Sequence, residues 1–223
     1  MRPDKIILDD PEFRAPAPTL IVAGQGRCGT SLVMQMLARA GVAVTGNAPT
    51  YEVVPEETSP AYWRENFGGK AIKILDPHLK RPPFGLQYRA IWLDRNLEQQ
   101  ALSQVKLLKQ LGYDVLTDRR AIKRLVKLNR KNRSYAVNVL RSLAGPENCI
   151  GTTFEHLINS PHLAAKQIYE KFKEFVPEHP GKSDAAVILE MAAVVKFRHA
   201  DCYNGLLELG LPGFKEKILE AQS

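Results

Sequence analysis

Cysteine is scarce in this chain, and the few present stand far apart. Positions 28, 149 and 202 hold three among 223 residues, with no Cys-x-x-Cys pair. That count and spacing exclude a disulfide framework and a zinc ribbon, and they point to a reducing compartment. The histidines at 78, 156, 162, 179 and 199 share no metal-ligand spacing, so no metal is expected. No apolar run approaches the 18 residues of a membrane span, and Met1-Arg2-Pro3-Asp4-Lys5 lacks the apolar core of a signal peptide. A cytoplasmic protein is expected. Internal repeats and low-complexity tracts are missing too.

Negative charge is short relative to positive. Lys and Arg number 31 against 24 Asp and Glu, and the net charge of +7 favours anionic ligands or partners. Arg119, Arg120, Lys123, Arg124, Lys127, Arg130, Lys131 and Arg133 crowd into fifteen residues of what reads as a helix, with Ile122, Leu125 and Val126 on its buried side. Such a stripe is a solvated face or the lining of a site for an anionic nucleotide or acidic acceptor. Nucleic acid is disfavoured, because no aromatic platform or recognised binding motif accompanies the charge.

The most informative stretch is Thr19-Leu20-Ile21-Val22-Ala23, running into Gly24-Gln25-Gly26-Arg27-Cys28-Gly29-Thr30-Ser31. A β-rich segment meets a glycine-rich turn, and a helical pattern (Leu32, Val33, Met36, Leu37, Ala40) follows until Gly41 closes it. Strand, small-residue loop and helix N-terminus together make an anion cradle. Three familiar anion signatures each miss a residue. A dinucleotide fingerprint would carry an acid after the second strand, but Val42-Ala43-Val44 runs into Thr45-Gly46-Asn47. A Walker loop would have lysine where Thr30 stands. A cysteine phosphatase would carry arginine six residues after Cys28, at a position held by Met34. Cys28 therefore reads as a small buried thiol, and Met34 and Met36 as core.

Along the rest of the chain, residues 1–17 read as a polar lead-in and 45–69 as a long polar loop with Pro49, Pro55, Pro60 and Gly68-Gly69. Tyr62 and Trp63 in that loop would line an acceptor pocket or anchor the loop. Strands are expected at 71–75, 88–93 and 149–154, and helices at 97–111, 118–143, 161–175 and 184–209. Alternating strands and helices imply a three-layer α/β domain with a mostly parallel sheet. One domain of 223 residues is expected, with 176–223 as a C-terminal helical segment.

A second constellation follows the strand at 88–93. Arg95 ends it, and Ser103 comes eight residues later, about two turns along the next helix, so both can face one groove and clamp a second phosphate. Here the chain resembles the sulfotransferases that use 3′-phosphoadenosine 5′-phosphosulfate (PAPS). Arg27-Cys28-Gly29-Thr30-Ser31 is similar to their 5′-phosphosulfate loop, and Arg95 with Ser103 to their 3′-phosphate site. Phe154-Glu155-His156-Leu157, with Pro161, Ile168 and Phe172, is similar to the stretch after their last central strand. The resemblance covers about residues 19–175 and is closest to the bacterial branch. This loop has Gly-Gln-Gly before Arg27 where the family has proline, and no C-terminal Arg-Lys-Gly motif is present.

The resemblance implies a P-loop-type fold, PAPS as donor with PAP as product, no metal, and a small-molecule or glycan acceptor with a free hydroxyl. Gly26, Arg27, Cys28, Gly29, Thr30 and Ser31 would hold the 5′ end, with Arg95 and Ser103 on the 3′-phosphate. Glu52 is the first candidate for the base and His78 the second, while Lys73 and Arg27 would face the sulfuryl group. The other readings of these residues are a solvated loop carboxylate, a turn histidine beside Pro77 and an edge-strand surface lysine. Arg198 and His199 could also reach the nucleotide. Two other functions compete: a P-loop kinase with Asp76 or Asp94 holding Mg²⁺, and a non-catalytic protein whose basic helix binds an acidic partner.

Overall fold

The computed structural model describes residues 17–116 and 118–195. Arg198, His199, Cys202, residues 1–16 of the lead-in and 196–209 of the expected last helix lie outside that range. Four strands form one sheet: β1 (Thr19–Gly24), β2 (Ala71–Leu75), β3 (Tyr88–Asp94) and β4 (Cys149–Thr153). All neighbours are parallel, in the order β2-β1-β3-β4. The chain leaves β1 for one side of the sheet and later returns to its other side. A crevice therefore opens at the carboxyl end of β1, where α/β sheets place their ligands.

Seven helices surround the sheet among the described residues: α1 (Thr30–Arg39), α2 (Pro60–Phe67), α3 (Leu97–Gln110), α4 (Arg119–Ala144), α5 (Phe154–Asn159), α6 (Pro161–Lys171) and α7 (Asp184–Ala193). The two faces of β1 feed separate cores, as a strand covered on both sides must. Leu20 and Val22 pack with α1, α5, α6 and α7, while Ile21 and Ala23 pack with Trp63, Phe67, Ala136 and Leu140 of α2 and α4. A third, smaller cluster joins Ala101 and Val105 of α3 to Ile122 of α4. This is the three-layer, parallel α/β architecture that the strand–helix alternation implies.

Four expected elements differ. Val42–Val44 is no strand; only Val44 bridges Ala71, and the chain turns away at Gly46. The loop at 45–69 contains α2, started by Ser59 accepting from the Tyr62 N–H and by Pro60 in the first turn. Trp63 and Phe67, four apart on that helix, supply its buried side. Phe154 opens α5 instead of ending a strand, because the Thr153 side chain caps the His156 N–H. The helix at 161 stops at Lys171, and a 3₁₀ turn covers Lys173–Phe175.

Candidate active site

The glycine-rich loop is shaped from beneath and from the side. A Cβ on Gly24 would overlap the Cys28 sulfur and stand 2.8 Å from the Leu93 carbonyl oxygen, so the buried thiol fills the space below the loop. Gly29 is the N-cap of α1 at φ 101°, and a Cβ there would meet Phe154 Cδ2 at 2.8 Å. No side chain caps α1. Its first turn therefore presents backbone N–H groups and the positive end of the helix dipole to whatever sits above the loop.

Cys28 itself is no nucleophile. Burial pushes its pKa up to about 12, against the pull of the Thr30 backbone N–H. A thiol that stays protonated is inert.

On the α1 side, three candidates meet. Lys73 Nζ donates to Ser31 Oγ at 3.0 Å, to the Thr50 carbonyl at 2.8 Å and to Glu52 Oε1 at 3.0 Å. Ser31 Oγ also donates to the Thr50 carbonyl at 3.2 Å. Lys73 is a buried cation, not a surface lysine of the edge strand, whereas the Glu52 side chain is 63% exposed. The loop carrying Glu52 is held to α1 by Gln35 Nε2 on the Pro49 carbonyl at 3.1 Å, and its Tyr51 is buried with φ 53°.

On the α3 side, Arg27, Arg95 and Ser103 come together. Arg95 Nη1 donates to the Arg27 carbonyl at 3.0 Å, and its guanidinium lies 4.4 Å from the Phe154 ring centre. Arg27 Nε donates to Ser103 Oγ at 3.3 Å. Phe154 thus wedges between Gly29 and Arg95, and Glu155 beside it accepts the Asn96 N–H at the start of α3. Arg27 Nε thus reaches Ser103, one of the residues expected at the 3′-phosphate.

Neither a protein-family model nor a curated protein sequence matches the chain. Solved structures do. Mouse sulfotransferase SULT7A1, complexed with PAP, superposes with a TM-score of 0.55 at 12% identity, over 80% of this chain and 64% of that one. Sulfotransferase STF9 from Mycobacterium avium gives 0.51 at 15% identity, over 83% and 68%. The chain has the sulfotransferase fold. It spans a little under two thirds of the mouse protein's length.

Within that sulfotransferase fold, a set of buried amides steadies the loop that sequence reasoning did not single out. Gln100 and Gln104 of α3 both donate to the Gly26 carbonyl, at 2.9 and 3.0 Å. Gln25 donates to the Asn129 carbonyl, and Asn129 Nδ2 to Gln104 Oε1, both at 2.9 Å. A helix face reading Gln100, Ser103, Gln104 where α3 would otherwise bury apolar residues was the available signal.

The remaining candidates lie apart. His78 lines a cavity of about 520 Å³ with Arg81, Tyr135, Asn138, Val139 and Ser142, on the α4 face of the sheet. Its Nδ1 is buried without a hydrogen-bond partner. Lys73 and Glu52 stand on the α1 face, so the two candidate bases are not neighbours. Asp94 pairs with Arg133 of α4 and accepts from the Arg95 N–H at 3.2 Å; burial raises its pKa and Arg133 opposes the rise. An acid so committed is a poor Mg²⁺ ligand. Asp76, its pKa also raised by burial, donates its own N–H to the Gly24 carbonyl at 3.0 Å. Trp63 is buried with Nε1 on the Glu57 carbonyl at 3.1 Å, so it anchors its segment.

Proposed function

We propose that this protein transfers a sulfuryl group from PAPS to an acceptor hydroxyl or amine. The observation that carries the reading is the meeting of Ser31, Lys73 and Glu52 beside an uncapped helix start. A hydroxyl, a buried cation and an exposed carboxylate are what an in-line displacement at an anionic centre needs. The donor fits the residues present: the α1 N-terminus and the Thr30 and Ser31 hydroxyls suit the 5′ end, and Arg95, Ser103 and Arg27 suit the 3′-phosphate.

When bound, PAPS would supply the activated sulfuryl group. Loop N–H groups with Thr30 and Ser31 would hold its 5′ oxygens, and Gly24 and Gly29 let the loop pack closely on Cys28 and Phe154. Glu52 would take the acceptor proton as the new bond to sulfur forms and the S–O bond to the donor's 5′-phosphate breaks, PAP leaving with that electron pair. Lys73 stabilises charge growing on the oxygens around sulfur, a preorganised donor whose loss costs roughly 3–4 kcal/mol of barrier. Positioning and fixed electrostatics supply the rate. Small molecules and glycans are both admissible acceptors.

The test is thermal denaturation with PAP, with ATP and Mg²⁺, and with NADH. A ligand at a hundred times its Kd adds ~2.7 kcal/mol, and each kcal/mol moves Tm by roughly 2–4 °C at this size. A shift with PAP alone supports the proposal. A shift with ATP alone transfers the site to a kinase. No shift with any ligand leaves a sulfotransferase fold without its donor.

A further inference from the structure

The α3–α4 hairpin gathers the chain's positive charge. Between residues 97 and 144 stand eleven Lys and Arg against three Asp and Glu, a surplus of eight, larger than the +7 of the whole protein. Among the described residues, Arg133 is the one α4 cation in an ion pair. The others repeat at three- and four-residue spacings, as in 119/123/127 and 120/124/127/131, where like charges repel by roughly 0.2–0.5 kcal/mol per pair. A helix that keeps such repulsion is relieved by an external polyanion.

The hairpin also projects. Contact with the glycine-rich loop begins at Asn129, and the sheet-facing core of α4 begins at Ala136. The ten residues before Asn129 add about 15 Å to α4, and they pack on α3 through the Ala101–Val105–Ile122 cluster with Leu125 and Val126 against it. At its tip, in the α3–α4 connection, Tyr113 is 58% and Leu116 72% exposed, and Leu128 beside the cations is 51% exposed. Lys106, Lys109, Arg119 and Arg120 flank them in sequence, against Asp114 and Asp118 in the connection itself, all exposed.

We propose that this tip docks on an anionic lipid bilayer, with Tyr113 and Leu116 entering the interface and the surrounding cations on lipid phosphates and carboxylates. Two features favour a bilayer over a soluble polyanion. The aliphatic Leu116 and Leu128 neither stack on bases nor pair with sugars, and they gain, as Tyr113 does, by leaving water at a membrane interface. Basic side chains near an anionic surface each add attraction of about 1 kcal/mol, so a few suffice when apolar residues assist. This inference is independent of the donor bound at the loop.

Co-sedimentation of the full chain with vesicles tests it. Binding is expected to phosphatidylcholine vesicles containing phosphatidylserine and not to phosphatidylcholine alone. The triple variant Lys109→Gln, Arg119→Gln, Arg120→Gln should lose more than a hundredfold in partitioning, at roughly fivefold per cation. The double variant Tyr113→Ser, Leu116→Ser should lose at least tenfold while its Tm without ligand stays within a few degrees of the parent's, which reports an intact fold. Three results would overturn the proposal. One is no sedimentation with anionic vesicles, and another is binding indifferent to the tip variant. The last is release from the vesicles by duplex DNA at equal phosphate concentration, which would make nucleic acid the partner.

Discussion

Lys73 is a charge held away from water by three oxygens, and only one of those oxygens belongs to a charged group. Replacing a buried cation by an apolar chain of similar length is often neutral or stabilising, and here Ser31 and Thr50 keep their bond to each other. Lys73→Met should therefore leave Tm within a few degrees and PAP affinity within a few-fold, since PAP lacks the sulfuryl group. Sulfuryl transfer should fall by a factor of 10²–10³. Calorimetric titration of PAP beside single-turnover assays with PAPS separates the two effects. Cys28 offers a different readout. Its folded pKa stands at about 12, above the ordinary 9.0 of an exposed thiol. Its contribution to stability is complete below pH 9 and is lost as pH rises toward 12, at about 1.4 kcal/mol per pH unit. Tm should decline less steeply above pH 9 in Cys28→Ala than in the parent, and iodoacetamide at pH 8 should leave Cys28 unmodified in the folded protein.

α3 and α4 hold the glycine-rich loop through amides, so damage at a distance should register at the loop. Asn129→Leu strands the Gln104 Oε1 that Asn129 now satisfies and crowds the side chain of Gln25. A buried polar group left unpaired costs about 1–3 kcal/mol, so Tm should drop by roughly 3–10 °C. PAP binding should weaken with it, although Asn129 touches no ligand in the proposal; differential scanning calorimetry with and without PAP checks both. The bond partners of this network were not legible from spacing, because they join residues 104 apart in sequence. Elements with local signals read well: β1 from its β-branched run, the α4 stop from Gly145-Pro146, the Arg95 and Ser103 pair from helical periodicity. α2 was hidden because two short apolar contacts, Trp63 and Phe67, sit among polar residues and prolines. The start of α5 was missed because Thr153 is both the last strand residue and a helix cap.

At the scale of the molecule, the sheet brings two sets of residues to one crevice from opposite sides of β1. Arg95→Ala tests the α3 set as a whole. It removes the hydrogen bond to the Arg27 carbonyl and the cation over Phe154. The PAP-induced rise in Tm should vanish, and ATP should gain no binding. How those sets meet could not be read from the chain, since the side-chain bonds that join Glu52 to Lys73 and Arg27 to Ser103 bridge 21 and 76 residues. The strand order also has a consequence in hydrogen exchange. β1 is flanked by a paired strand on each side, whereas β2 is an edge whose outer side, among the described residues, is paired only near Ala71. Local opening therefore reaches β2 before β1, and the Ile72 amide, which faces β1, should exchange through a smaller fluctuation than that of Ile21, which faces β3. The strand that bears Lys73 can detach while the strand that leads into the glycine-rich loop stays folded. Warming or mild denaturant would then yield a species that still binds the bisphosphate and no longer turns over.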